Sequence, residues 1–396
     1  MAIRERGRRA RERDRKSWEV TVELGLDPTS GRRRRRFLTV KGTRKDAERA
    51  RAEALHQRDT GLELAPGKVT VGEFLQRWLR DYATPNVAPS TLARYTAIVE
   101  RHLVPALGAL RLRDLRPAHI LAAYGRSLAP GGRADGGAGG LSPRTVLHHH
   151  RLLHEALAHA VRWQLLSRNP ADAVDPPRAA RPEMHVLDVA QVAQLLAAAA
   201  STPQYAFVYA ALATGARLGE LLALRWQDVD FAKGKLSITR TVKRVSGQGL
   251  IFGSPKTHRS SRPVALSAET KAVLQEHRRR QLEHRLRMGP AYKEQGLVFA
   301  GPTGGPMDDA NLRRAFCRIV RAAGLEPLRI HDLRHTAATL MLRAGVSPKV
   351  VAERLGHATV SLTLDVYSHV LPDMQREAAE ALERVMGPAA WASGKE

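Results

Sequence analysis

The chain has 396 residues, with 64 lysines and arginines against 39 aspartates and glutamates, a formal net charge of +25 and 43% hydrophobic residues. That length implies two or three domains with ordinary cores, and the charge implies a polyanionic partner, because each cation that neutralises a phosphate releases a counterion. A single cysteine, Cys317, excludes an internal disulfide, and no apolar run approaches the roughly 20 residues of a membrane span. The first sixteen residues carry eight basic and three acidic side chains with no apolar segment, which excludes a secretory signal. A soluble, cytoplasmic protein is expected.

Residues 1–60 hold 19 basic against 10 acidic residues. Trp18, Val20, Val22 and Leu24 alternate as one face of a strand, Asp27 to Gly31 (DPTSG) supplies a turn, and Arg32 to Val40 reads as a second strand opening on five arginines. Thr43 with Asp46 then starts a helix that Gly61 ends. This predicts a small basic sheet-plus-helix domain over residues 1–65, with residues 1–15 flexible.

From Thr70 the periodicity is helical. Thr70 and Glu73 form a capping-box pair ahead of Phe74, Leu75, Trp78, Leu79 and Tyr82 on one face. A second helix follows Ser90, a third opens at Pro117, and Ser142 with Pro143 begins a fourth. The segment PGGRADGGAGG, residues 130–140, is too glycine-rich for a helix and reads as a mobile loop. His148 to His150 do not make a metal site, since consecutive residues point in different directions around a helix. A helical domain over 68–174 is expected, then a proline-rich linker over 175–183 (DPPRAARP and its flank). Beyond it, residues 184–390 read as one mixed, mainly helical unit. A helix follows Asp188, apolar helices run to Leu224, and strands lie around Lys235 to Arg244 and Leu250 to Leu266. Helices follow to the end.

The chemistry concentrates in three stretches of that last unit. HDLRH places His331, Arg334 and His335 at one helix end, LGH ends at His357, and Tyr367 follows ten residues later. Upstream, ATGARLGELL carries Arg217 in a helical context, and SPKTHRSSR carries Lys256 between strands. Cutting DNA without a metal requires a nucleophile, cations over the non-bridging phosphate oxygens and an acid for the departing 5′ oxygen. Arginine forks with imidazole donors meet the second need, and Arg217, Arg334, His331 and His357 are the candidates. A tyrosine, with a free pKa of about 10, becomes a nucleophile only where cations favour the phenolate, which suits Tyr367. A lysine in a turn can deliver the proton to the leaving group, which suits Lys256. Taken singly, each has a plainer reading: Arg217 as an ion pair with Glu220, Tyr367 as a core tyrosine, His335 as an orienting residue. HDLRH differs from a zinc-binding HExxH helix by Asp332 in place of the glutamate and by the cation of Arg334, so no metal is expected.

This set, in this order, resembles the tyrosine recombinase (phage integrase) family. The resemblance implies an α+β multidomain fold. It consists of a small β-sheet-plus-helix arm-binding domain, a SAM-like helical core-binding domain, and a mixed, mainly α catalytic domain of the DNA breaking-rejoining type, with the two larger domains gripping the duplex. It implies a site-specific recombinase that integrates or excises a phage or integrative element. Tyr367 would attack the scissile phosphate to form a 3′-phosphotyrosyl bond, Arg217, His331, Arg334 and His357 would hold the phosphate, and Lys256 would protonate the 5′ hydroxyl, with no cofactor. The implied partners are double-stranded DNA at core and arm-type sites, a homotetramer on that DNA, and an accessory DNA-bending or directionality factor. A helix over Gln375 to Met386 would dock on the same or a neighbouring subunit. Three rivals differ in testable ways. A type IB topoisomerase shares the chemistry but acts as a monomer, a chromosome-dimer or plasmid resolving recombinase usually lacks the arm-like domain, and a non-enzymatic DNA-binding regulator has no use for Tyr367.

Overall fold

A computed structural model describes residues 3–5, 17–26, 33–59, 69–180, 184–245, 249–253, 261–357 and 359–367, with five further positions between 379 and 386. The chain divides into two compact units, Met1–Arg181 and Pro182–Glu396.

The first unit opens with an antiparallel sheet in the order β1 (Ile3–Glu5), β2 (Ser17–Leu26), β3 (Arg33–Lys41). Val20 and Val22 are buried with Ala47 and Ala54 of α1 (Arg44–Asp59), so the strand alternation is satisfied by one helix covering one face. Of the segment expected to be flexible through residue 15, only residues 3–5 lie within the described residues. They pair with β2, Ile3 opposite Val20, and so occupy the ladder edge that β3 leaves open. The expected cap of α1 is present, with the Thr43 amide donating to Asp46 Oδ2 at 2.7 Å. The Asp27 to Gly31 turn and the Gly61 stop lie outside the described residues.

The helices that follow continue through two π turns, which the apolar periodicity does not signal. The Thr70–Glu73 capping box starts α2 (Val71–Trp78), which runs through Leu79–Ala83 into α3 (Thr84–Asn86). Next, α4 (Pro89–Ile98) runs through Val99–Leu103 into α5 (Val104–Leu107). This helix begins one residue before Ser90, because the fixed φ of Pro89 suits the first helical position. The third and fourth expected helices are α6 (Pro117–Leu128) and α7 (Pro143–Arg162), the latter capped by Ser142. Their core holds Phe74, Trp78, Ile120, Leu153 and Leu157, and the Trp78 indole donates to His159 Nδ1 at 3.0 Å. The glycine-rich segment 130–140, expected as mobile, is a loop tied at its neck: Leu141 N donates to Ser127 O at 2.7 Å and Gly131 N to Gly139 O at 3.2 Å. His149 is buried against His102 while His150 faces Tyr124, so these two consecutive rings do diverge.

In the second unit the Asp188–Gln191 capping box starts α8 (Val189–Ala200), followed by α9 (Tyr205–Thr214) and α10 (Leu218–Leu222). Strands β4 (Val229–Asp230), β5 (Lys235–Ile238) and β8 (Arg262–Ala265) form one antiparallel sheet, and β6 (Thr241–Val245) with β7 (Gly249–Gly253) forms a hairpin beside it. Then come α11 (Ala268–Met288), α12 (Asp309–Ala322), α13 (Ile330–Arg343), α14 (Pro348–Leu355) and α15 (Val360–Tyr367). Phe207, Leu221, Leu236, Val264, Phe299, Phe316 and Leu333 meet in its main core. The helix expected over Gln375 to Met386 falls largely outside the described residues. Among the described residues no helix is long and apolar enough to cross a membrane.

Candidate active site

The site is built on two sharp turns that end helices. At the first, α9 stops at Gly215, whose φ of +62° favours glycine, and a Cβ there would lie 2.4 Å from Leu355 Cδ2. The chain then re-enters a helix at α10, and Arg217 stands at the cap position in extended backbone (φ −72°, ψ 150°), one residue before the helix rather than within it. At the second turn, α14 ends at Gly356 (φ +69°), where a Cβ would meet Arg262 Nη1 at 2.7 Å. His357 follows at once, its amide bonded to Ala352 O at 3.0 Å.

Arginines join these turns. Arg217 Nη2 donates to Gly356 O at 3.1 Å, which brings the first arginine beside the turn that carries His357. Arg334, on the second turn of α13 and 4% exposed, donates from Nη1 to Gly215 O at 2.7 Å. Arg334 is thus held by a carbonyl two residues before Arg217, and Arg217 by the carbonyl that immediately precedes His357. His331 and His335 flank Arg334 one turn apart, with ring centroids 5.0 Å apart edge to face. The expected ion pair of Arg217 with Glu220 also exists, at 2.8 Å. Glu220 and the Gly356 carbonyl together take two of the five guanidinium N–H groups, leaving three for an anion.

Behind this cradle lies a buried pair whose role the sequence did not reveal. Glu220 is almost fully enclosed, and besides Arg217 it accepts from Arg262 Nη2 at 3.1 Å. Arg262 in turn donates from Nε to Arg354 O at 2.6 Å, and Arg354 Nη2 donates to Ala213 O at 2.8 Å. Burial alone would raise the Glu220 carboxyl, but the Arg262 charge and the hydrogen bonds from Arg262 and Arg217 leave it below its ordinary value. A charged carboxylate therefore clamps α10, β8 and the end of α14, and breaking such a buried pair costs roughly 3–5 kcal/mol. Arg262 was visible only as the last letter of SPKTHRSSR, because an inward-facing cation on a short strand has no local signature.

Burial and neighbouring cations favour the neutral form of the imidazoles. Desolvation by its walls, then the charges of His335 and Arg334, bring His331 down to about 4, although the ring keeps an exposed edge. Burial, then Arg334, Arg217 and Arg262, bring His357 to about 4. Burial also lowers His335. Four predicted residues, Arg217, His331, Arg334 and His357, thus come together with His335 at one place. Tyr367 is the last residue of α15, which packs on α14, but its side chain lies outside the described residues, as does the whole of Lys256. Among the described residues no group of three His, Cys, Asp or Glu side chains is placed to hold a metal ion.

Residues 185–374 match the model of the phage integrase family, and residues 70–124 match that of the phage integrase N-terminal SAM-like domain. An integrase of Streptomyces ambofaciens is 30% identical over 398 residues, covering 95% of this chain and 95% of that protein. The Tn1549 transposon integrase, solved in complex with a circular intermediate DNA, superposes with a TM-score of 0.66 at 22% identity, covering 80% of this chain and all of that one. A lambda integrase tetramer bound to a Holliday junction gives 0.53 at 20% identity, covering 87% and 91%. The chain shares with these structures a helical unit followed by a mainly helical α+β unit. This chain belongs to the phage integrase family, the tyrosine recombinases, which cut and rejoin DNA.

Proposed function

We propose that the protein is a site-specific integrase that inserts or excises a phage or integrative element through a 3′-phosphotyrosyl intermediate. The observation that carries this reading is the convergence of Arg217, Arg334, His331 and His357 from three separate segments beside the helix that ends at Tyr367. The Tyr367 oxygen attacks the scissile phosphorus, the P–O5′ bond breaks, and Lys256 gives its proton to the departing 5′ oxygen. The two guanidinium forks and the Nε2–H groups of the neutral imidazoles receive the charge that accumulates on the non-bridging oxygens. A 5′ hydroxyl of a second DNA end then attacks the phosphotyrosine and regenerates the tyrosine, so bond energy is conserved and no cofactor is consumed. Paired exchanges of this kind call for four protomers on two duplexes, and an accessory DNA-bending or directionality factor fits the same scheme. The test is a nicked suicide substrate incubated with the protein in EDTA and run on a denaturing gel. A covalent protein–DNA band is expected, and its absence, or a need for magnesium, refutes the mechanism.

The amino-terminal sheet supports an integrase over a two-domain resolving recombinase. Its face away from α1 presents Arg35 and Phe37, the latter 62% exposed, beside Thr21 and Glu23 of β2. A narrow antiparallel sheet fits the major groove, and arginine with an exposed aromatic ring suits DNA better than water. Phe37→Glu is expected to abolish protection of a second, distant arm-type sequence in footprinting while leaving protection and cleavage of the core site intact. Equal protection of both by the variant would reduce this segment to a solvated extension.

The histidine environment sets a pH dependence. An anion beside His331 and His357 raises values that lie near 4 in the protein alone, so DNA binding takes up protons and affinity for a core site rises as pH falls toward that value. Without DNA the sign reverses. The unfolded rings titrate near 6.5 and the folded ones near 4, so stability is lost as pH falls across that window. Fluorescence anisotropy and thermal melts at constant ionic strength should show both slopes, and the His331→Ala/His357→Ala double variant should flatten them. Unchanged slopes in that variant would place the titration elsewhere.

A further inference from the structure

One contact ties the imidazole that follows the second turn to the helix that carries the nucleophile. Thr363 sits in the middle of α15, one helical turn before Tyr367, and has no exposed surface, whereas Val360 and Leu364 on the same helix are exposed. Its Oγ1 lies 2.7 Å from His357 Nδ1. The backbone of His357 is already fixed by the Gly356 turn and the bond to Ala352 O, so the remaining freedom is the ring's rotation and the position of its one proton. A neutral imidazole carries a hydrogen on only one nitrogen, and the partner of one nitrogen decides what the other can do.

We propose that Thr363 is a positioning residue. Its hydroxyl donates to His357 Nδ1 and holds the ring with its proton on Nε2, the tautomer able to donate to a phosphate oxygen, and it does so only while α15 is seated against α14. The inference rests on the reading of His357 as a phosphate donor and Tyr367 as the nucleophile, and it adds a coupling between them. When α15 withdraws, the nucleophile departs and His357 loses the partner that selects its tautomer, so a protomer whose tyrosine is not in place also loses a donor to the charge that develops on the phosphate in the transition state. The neutral ring supports this, since a protonated imidazole would donate from both nitrogens and need no selection.

The test uses the full-length protein, the nicked suicide substrate and single-turnover cleavage at saturating DNA. Thr363→Val keeps the shape and removes the hydroxyl, and it is expected to slow cleavage about 10- to 100-fold with DNA affinity unchanged. Thr363→Ser restores the rate. In a His357→Ala background, Thr363→Val has no further effect, because the threonine acts through that ring. The ratio of unaltered to valine rates shrinks as pH is lowered, because an imidazolium donates from Nε2 without help. Should the valine variant fail to melt cooperatively, Thr363→Ala, which removes crowding as well as the hydroxyl, is read in the same way. Cleavage by the valine or alanine variant at the unaltered rate overturns the proposal. So does a serine variant as slow as valine, or an equal further loss in the His357→Ala background. An unaltered protein that forms no covalent complex refutes the recombinase reading itself, whereas one that cleaves while Thr363→Val cleaves equally well refutes only the role of Thr363.

Discussion

Tyr367→Phe forms no covalent complex with a suicide substrate and still binds the site. The substitution deletes one oxygen from the end of α15 and leaves a ring of the same shape, so neither the packing of α15 on α14 nor the cationic cradle of Arg217 and Arg334 is altered. DNA affinity comes mainly from phosphate contacts spread over the protein, which predicts an unchanged binding isotherm beside a complete loss of the covalent band. No other side chain in the described cradle replaces the phenolic oxygen. The imidazoles could attack phosphorus in principle, but the phosphoramidate formed would be acid-labile, and the gel can be run to distinguish it. A stable covalent band from the phenylalanine variant would remove Tyr367 from the mechanism.

Arg334→Ala lowers the single-turnover cleavage rate by about 10²- to 10³-fold, the usual cost of losing one donor to a developing oxyanion, with a much smaller change in DNA affinity. Arg334 is 4% exposed and enters the site from behind, braced by the Gly215 carbonyl, so its guanidinium is held before DNA arrives. Preorganised charge of this kind acts on the transition state more than on the ground state. Lysine should not replace it, since a point charge cannot bond the Gly215 carbonyl and a phosphate oxygen with the same fixed fork. Arg217 offers a useful contrast. It is more open, and Glu220 keeps its second partner Arg262 when Arg217 is removed, so Arg217→Ala should lose rate with little loss of thermal stability. Cleavage by Arg334→Ala within tenfold of the unaltered protein would mean that this arginine serves packing rather than chemistry.

Much of this molecule could be read directly from the order of its residues, wherever the governing interactions are local. The Thr70–Glu73 and Asp188–Gln191 boxes and the Ser142 cap each satisfy free amide groups within three residues, so they mark helix starts wherever they occur. HDLRH places His331, Arg334 and His335 on one helix by spacing alone, and the strand alternation of Val20 and Val22 needs only a single covered face. The order of the motifs was enough to indicate the family.

Only the tertiary structure decided how the pieces meet. The bonds that assemble the cradle join residues 119 and 139 positions apart, Arg334 to Gly215 and Arg217 to Gly356, through backbone carbonyls that every sequence possesses and none advertises. The buried Glu220–Arg262 pair, the pairing of residues 3–5 with β2, the two π turns and the reach of Thr363 to His357 arise in the same way. Each depends on which surfaces pack together. Periodicity reports which face of an element is apolar, whereas the partner of a buried charge or hydroxyl is chosen by the fold, since an unpaired polar group in the interior would cost more than the chain can spare.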